Sequence, residues 1–300
     1  MTENITAPAV CFGEILWDVL PDGPQPGGAP LNVAYHLNKL GLSTGIISKI
    51  GQDENGRKLE SLLDKWGISK KLLQHDSLYP TSEVIARIGA GNEVSYEIVF
   101  PVAWDFINKP GALSPTAPEE SYFVYGSLSS RNEQSRQTLF ELLERGSINV
   151  FDINLRPPFF NKTLLNDLLM KADIVKFNES ELQMAQILFG GSHRNQSEQV
   201  KFIQDRFSIP EVIVTKGEFG AAYYKGDQSY HAWGSEVTVS DTIGSGDSFL
   251  AAFIANHQKG VDPKEIIKNA IGMGAFIATQ KGGCPEYEIQ EYIDFIKQIF

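Results

Sequence analysis

Cysteine is almost absent from this 300-residue chain: Cys11 and Cys284 stand at opposite ends and form no motif. The plain reading is a reducing, cytoplasmic setting with no disulfide framework. The histidines are few and scattered (His36, His75, His193, His231 and His257) and show no zinc spacing, so packed or solvated histidines are expected. No run approaches the roughly 20 apolar residues that a membrane-spanning helix needs. Residues 249–255, the longest apolar run near the main motif, make only a turn or two of helix. Residues 1–9 lack a basic segment followed by an apolar one, so no signal peptide is expected. Positive charge is also scarce. Against 37 acidic residues stand 26 basic ones, a net charge of −11 with no Lys/Arg run. Such a surface repels nucleic acid and anionic lipid, and neither is an expected partner. A small anionic ligand stays open, because a helix terminus and a metal can build a local positive site.

What the chain does have is a core and a rhythm. Hydrophobic residues make up 42 % of it, enough for a large globular interior. Residues 10–16, 45–50, 122–126, 149–152, 174–177 and 212–215 read as buried strands. Helical spacing appears at 30–40, 54–66, 133–144, 164–171, 179–188, 197–206, 246–258, 263–280 and 287–299. Alternating strands and helices predict an α/β fold with a mainly parallel sheet covered on both faces. Residues 82–88 and 93–100 break the rhythm. They are β-prone runs joined by Gly89-Ala90-Gly91-Asn92, a hairpin without a crossover helix. Its apolar face must cover either the core or a ligand. No repeat, low-complexity tract or long linker appears, so one domain with a small β appendage is expected.

The most informative segment is Asp241-Thr242-Ile243-Gly244-Ser245-Gly246-Asp247, followed by the apolar helical run 248–254. Gly244 and Gly246 let the backbone turn tightly and approach a ligand. The following helix aims its free N–H groups and dipole at the same spot, which makes an anion hole. Asp247 sits inside that first turn, where it would repel a bound phosphate. A carboxylate there makes most sense as the acceptor of a proton from an attacking hydroxyl. The alternative is an acidic residue that simply stabilises the helix dipole.

Residues 241–247 resemble the second signature of the ribokinase-like (PfkB) sugar kinases, with Ser245 in place of the common alanine. Further motifs similar to that family's follow the same order along the whole chain: Gly13-Glu14 and Asp18, then Gly27-Gly28-Ala29-Pro30-Leu31-Asn32, Asp152-Ile153-Asn154-Leu155-Arg156, Asn178-Glu179-Ser180-Glu181, and Thr215-Lys216-Gly217. The resemblance implies a ribokinase-like three-layer sandwich with a mainly parallel central sheet. It also implies one kinase domain over residues 1–300, with a small β lid from about 16–30 and 80–105. Asp247 would be the catalytic base, and Gly244, Ser245 and Gly246 would supply the anion-hole amides. Asp18, Gly27, Gly28, Asn32, Asn154 and Arg156 would bind the sugar. Asn178, Thr215 and Gly217 would face ATP, with Asn178 and Glu181 organising Mg2+ through water. Asp241, Ile243 and Gly282 mark the place for a monovalent cation such as K+. Possible partners extend to a homodimer.

Each residue also has a plainer reading. Asp18 could cap a turn before Pro21, Arg156 could pair with a surface carboxylate, and Asn178 with Glu181 could form a capping box. Trp104 and Phe100 are candidates for stacking on a sugar, against ordinary burial. The Gly-Gly-Ala-Pro form of the first motif, with Asn154-Leu155-Arg156-Pro157-Pro158, resembles bacterial and plant fructokinases, which implies fructose converted to fructose 6-phosphate. The family's 2-keto-3-deoxygluconate kinases are the runner-up, because Arg156 could hold a carboxylate. Outside the class, a non-catalytic sugar sensor stays open. A dinucleotide-binding oxidoreductase is disfavoured, since Phe249 stands where that fingerprint wants glycine.

Overall fold

The structure, a computed structural model, describes residues 7–20, 23–88, 94–111 and 120–300. The glycine-rich turn expected at 89–92, Pro21, and residues 1–6 of the N-terminal stretch lie outside them. In chain order the elements are β1 (Ala9–Phe12), β2 (Leu16–Leu20), β3 (Gly23–Gly27), α1 (Ala29–Lys39), β4 (Thr44–Gly51), α2 (Glu54–Lys65), β5 (Leu73–Asp76), β6 (Ser82–Ile88) and β7 (Val94–Ile98). Then come β8 (Tyr122–Gly126), α3 (Glu133–Leu143), β9 (Ile148–Asp152), α4 (Lys162–Leu169), β10 (Ile174–Asn178), α5 (Glu179–Leu188), α6 (Gln196–Phe207) and β11 (Glu211–Thr215). The chain continues through β12 (Ala221–Lys225), β13 (Gln228–Ala232), α7 (Ser245–Gln258), α8 (Pro263–Ala278) and α9 (Ile289–Ile299).

Nine strands form one sheet in the order β13-β12-β11-β10-β9-β8-β1-β4-β5. From β5 across to β11 every neighbouring pair is parallel, and only β12 and β13 run antiparallel at one edge. Alternation along the strands supplies both faces of this sheet. Cys11, Val124, Val150 and Ile213 point to a core shared with α1, α2, α7, α8 and α9. Phe12, Phe123, Phe151 and Val212 point to a second core, under α3, α4, α5 and α6. Helix, sheet and helix are the three layers expected.

The strand expected at 10–16 divides in two. Gly13, at φ +139°, turns the chain out of the large sheet after Phe12, and Leu16 begins β2 in a second sheet. That smaller sheet has the order β3-β2-β6-β7, two hairpins joined by the parallel β2–β6 pair. It draws on the two segments expected to form the lid. Residues 103–106 do not belong to it: they form a 3-10 turn, and Trp104 is fully buried in the second core.

The order of strands places the site. The chain moves from β1 outward to β4 and β5, then returns to the other side of β1 with β8. Ligands bind beyond the carboxyl ends of parallel strands at such a reversal. Gly13 leaves β1 at that edge and packs against Ser129, just beyond β8. Helix ends point to the same region. Six helices, α2, α3, α4, α5, α6 and α8, begin on an Asp or Asn side-chain cap. By contrast, α1 and α7 begin on Gly28 and Gly244, with no side-chain cap. The two helices pack on each other.

Candidate active site

Gly244 sits at φ +74° as the first residue of the turn into α7, a conformation that favours glycine. A side chain there would press on the Gly283 backbone, only 2.5 Å from its Cβ. The Ser245 hydroxyl is turned away, donating to the Gly274 carbonyl of α8 at 3.0 Å. Its extra oxygen therefore ties the helix to α8, while the Ser245 amide donates to the Thr242 carbonyl at 3.3 Å. Asp241 pins the loop from behind: its two oxygens accept the Ile243 amide at 3.0 Å and the Gly282 amide at 3.1 Å. The turn expected to form the anion hole is thus tied to the loop at Gly282 and Gly283.

Asp247 occupies the first turn of α7 and accepts a 2.7 Å hydrogen bond from Asn32 Nδ2 of α1. Asn32 Oδ1 in turn accepts from Cys284 Sγ at 3.2 Å. Beneath them lies a buried ion pair. Lys176 Nζ of β10 donates to both oxygens of Asp152 of β9, at 2.9 and 2.8 Å. A side chain on Gly246 would come 3.4 Å from that ammonium. Burial, then the Asp152 carboxylate, push Asp247 up to about 6, against the opposing pull of Lys176, the Asn32 amide and Arg156.

The residues expected to hold a sugar are equally acidic. Asp18 lies within β2, opposite Gln25 of β3 and Val84 of β6, so it is a sheet residue and not a turn cap. Burial and then Asp247 push it up to about 6, with Arg156 opposing. Gly27 leaves the Asp18 carboxylate its place, since a side chain there would force that carboxylate to shift. Glu14 is 3 % exposed, and its Oε2 has no hydrogen-bond partner among the described residues. Burial pushes it up to about 7, opposed by its own backbone N–H, Arg156 and the Ala29 N–H, with Asp247 adding to the rise. Arg156 is exposed and hydrogen-bonds the Leu155 carbonyl at 3.2 Å. It faces these three carboxylates.

The remaining candidates line the edge toward β11. Asn178 caps α5 in a capping box with Glu181: Oδ1 accepts the Glu181 amide at 2.8 Å, and Glu181 Oε2 accepts the Asn178 amide at 2.9 Å. Glu181 Oε1 also accepts the Leu155 amide at 3.0 Å, which ties the Asn154–Arg156 turn to α5. Burial raises the Glu181 carboxyl, its Asn178 hydrogen bond lowers it, and the net movement is upward. Asn154 adopts a left-handed φ of +35°, which asparagine tolerates. Thr215 is in register with Asn178 across β10–β11, and Gly217 follows in a short turn.

Sequence reasoning passed over three residues. Lys176 was part of a strand, Cys284 part of no motif, and Glu14 quoted without a role. A lysine set between Val175 and Phe177 was the legible signal, because a charge in a buried strand needs a partner. Trp104 takes the plainer of its two readings. It is fully buried under the Arg131 guanidinium, 4.0 Å from its ring, and does not reach a sugar. Phe100 stays 52 % exposed.

Known proteins resemble this chain in sequence and in fold. The sequence pattern of the pfkB family carbohydrate kinases covers residues 23–289. A fructokinase of Vibrio alginolyticus is 30 % identical over 95 % of this chain and 98 % of its own length. The probable fructokinase-5 of Arabidopsis thaliana is 28 % identical over 92 % and 93 %. Among solved structures, a double mutant of Vibrio cholerae O395 fructokinase with fructose, ADP and potassium ion bound has a TM-score of 0.83 at 25 % identity, covering 99 % of this chain and 100 % of that one. Fructokinase from Xylella fastidiosa with bound ATP, at 21 % identity, shares the fold with a TM-score of 0.84 over 97 % of this chain and 99 % of that one.

Proposed function

The chain belongs to the pfkB family carbohydrate kinases, and from that premise we propose that it transfers the terminal phosphoryl group of ATP to a hydroxymethyl group of fructose, giving fructose 6-phosphate. The observation that carries the reading is Asp247 in the uncapped first turn of α7, held by Asn32 and raised toward neutrality. The sugar oxygen attacks the γ-phosphorus, the bond from that phosphorus to the β–γ bridging oxygen breaks, and ADP leaves. The hydroxyl proton passes to the Asp247 carboxylate. Phosphoryl transfer needs positioning and charge stabilisation more than a strong base, and the N–H groups of the α7 turn supply the latter. Asp18 and Asn32 hold sugar hydroxyls, while Asn178, Thr215 and Gly217 face the nucleotide.

Magnesium fits this donor set through water. Glu181 spends one lone pair of each oxygen on a backbone amide and keeps the others for a hydrated ion. Bound with ATP, Mg2+ would neutralise phosphate charge. Asp241, Ile243 and Gly282 are the residues for a monovalent cation such as K+. Fructose as substrate is supported by relatives that carry the name fructokinase and by the fructose-bound Vibrio cholerae protein. The 2-keto-3-deoxygluconate reading draws support from Arg156, an exposed guanidinium beside the sugar residues.

ADP release from ATP and Mg2+ with fructose, ribose, glucose, 2-keto-3-deoxygluconate and adenosine separates these readings. Fructose is expected to give the highest kcat/KM. Tight sugar binding without any ADP release would turn the assignment to a sensor. In the same assay Asp18→Ala is expected to raise the sugar KM roughly 10- to 100-fold, the worth of one or two hydrogen bonds to a charged group. An unchanged KM would remove Asp18 from the sugar site.

A further inference from the structure

We propose that the Cys284 thiol is a positioning residue for phosphoryl transfer, fixing the Asn32 amide so that its NH2 faces Asp247 throughout the cycle; this rests on the kinase reading above. An amide has one donating and one accepting end, and its neighbours decide which way it points. Asn32 is only 3 % exposed. Its Oδ1 receives Cys284 Sγ at 3.2 Å, while its Nδ2 reaches Asp247 Oδ2 at 2.7 Å. A carboxylate needs a donor there, but a carboxyl that has just taken the sugar's proton is served equally well by an acceptor. The thiol breaks that tie. With Sγ donating to Oδ1, rotation of the amide would exchange that hydrogen bond for an N–H set against a sulfur that accepts only weakly.

The thiol is itself held by α1. His36 Nε2 lies 2.9 Å from the Gly283 carbonyl, and its Nδ1 lies 3.0 Å from the Tyr287 hydroxyl. The Tyr35 hydroxyl donates to the Pro285 carbonyl at 2.5 Å, and Lys39 Nζ to the Tyr287 carbonyl at 2.8 Å. One face of α1 therefore carries both Asn32 and the clamp on the loop that orients it. Gly283 completes the fit, since a side chain there would approach Asn32 Nδ2 to 2.7 Å. The charged groups around Asp247 are Asp152 and Lys176 from the sheet, Asp18 from β2, Glu14 after β1 and Arg156 after β9. None of them replaces the thiol as a donor to Asn32.

The test compares wild type, Cys284→Ser, Cys284→Ala and Cys284→Val by steady-state kinetics with ATP and whichever sugar the wild type turns over, alongside thermal melting. Serine keeps a donor; alanine and valine lose it, and valine keeps the volume should alanine fold poorly. Alanine and valine are expected to lower kcat about 3- to 10-fold, the worth of one hydrogen bond, with KM for ATP unchanged. Serine should restore kcat to within about twofold of wild type on the same scale. In an Asn32→Ala background, Cys284→Ala should cost nothing further, because the thiol acts only through the amide. Wild-type kcat in the alanine and valine variants, equal losses in all three, or additivity with Asn32→Ala would overturn the proposal. A wild-type protein that phosphorylates no sugar removes the kinase reading first, before any variant is compared.

Discussion

Asp247→Asn is expected to lower kcat by about 10²- to 10⁴-fold, the usual worth of a positioned general base, and to raise the melting temperature at neutral pH. Both effects have one cause. Asn keeps the shape and can still accept from Asn32, so sugar and ATP should bind with KM values near those of wild type. It cannot take the hydroxyl proton. Asp247 is held at about 6, well above an ordinary carboxyl at 3.8. The folded chain therefore grips that proton more tightly than the unfolded chain does, and ionising the group costs stability. The cost is absent at pH values below the unfolded pKa, grows as pH rises toward the folded one, and stays constant above it. Asn never incurs it, so the variant and wild type should melt alike near pH 4 and diverge toward pH 7. Activity runs the opposite way: kcat/KM should fall as pH drops through about 6, where Asp247 and Asp18 both protonate. Because Glu14 titrates at about 7 beside them, that limb belongs to the cluster and not to one residue. Steady-state rates from pH 5 to 8 and melting curves from pH 4 to 8 check both arms; near-normal turnover in the variant removes Asp247 as the base.

Some of this was legible in the sequence because its chemistry is local. β8 and α5 coincide with their apolar runs, and Gly244 to Asp247 are neighbours because an anion hole is one turn of backbone. Edge strands were not legible. β13 reads Gln-Ser-Tyr-His-Ala and is largely exposed, so no apolar face marks it, and β5 has only Leu73 at its start. The break at Gly13 hid inside a continuous run of strand-like residues. In the site, what escaped was pairing across distance. Asp152 and Lys176 are 24 positions apart on adjacent strands, and Asn32 stands 215 from Asp247. Cys284 looked formless because its hydrogen-bond partner lies 252 residues away. Composition and period see faces and turns; they do not see which charged side chains meet across a sheet.

Lys176→Met is the sharper trial of that hidden pairing, with an expected loss of about 3–5 kcal/mol in stability, as when one partner of a buried ion pair is removed. The side chains of Lys176 and Asp152 are 9 % and 5 % exposed. Burial pulls the ammonium down, but Asp152, then Asp247 and Glu181, lift it above the ordinary lysine value. Without it, Asp152 would be a buried charge with no cation, and Asp247 and Glu181 would lose the cation that opposes their own rise. Neutralising Asp152 as well, in Asp152→Asn with Lys176→Met, should recover most of the stability, because a buried pair exchanged for neutral groups is often nearly neutral. It should not recover kcat. The ammonium lies just behind Gly246, where the proposed anion hole would hold the growing negative charge of the transferring phosphate. Urea unfolding and steady-state rates on the single and double variants separate the two roles. A single variant as stable as wild type would dismiss the ion pair as a structural element. A double variant with wild-type kcat would leave Lys176 as scaffolding alone.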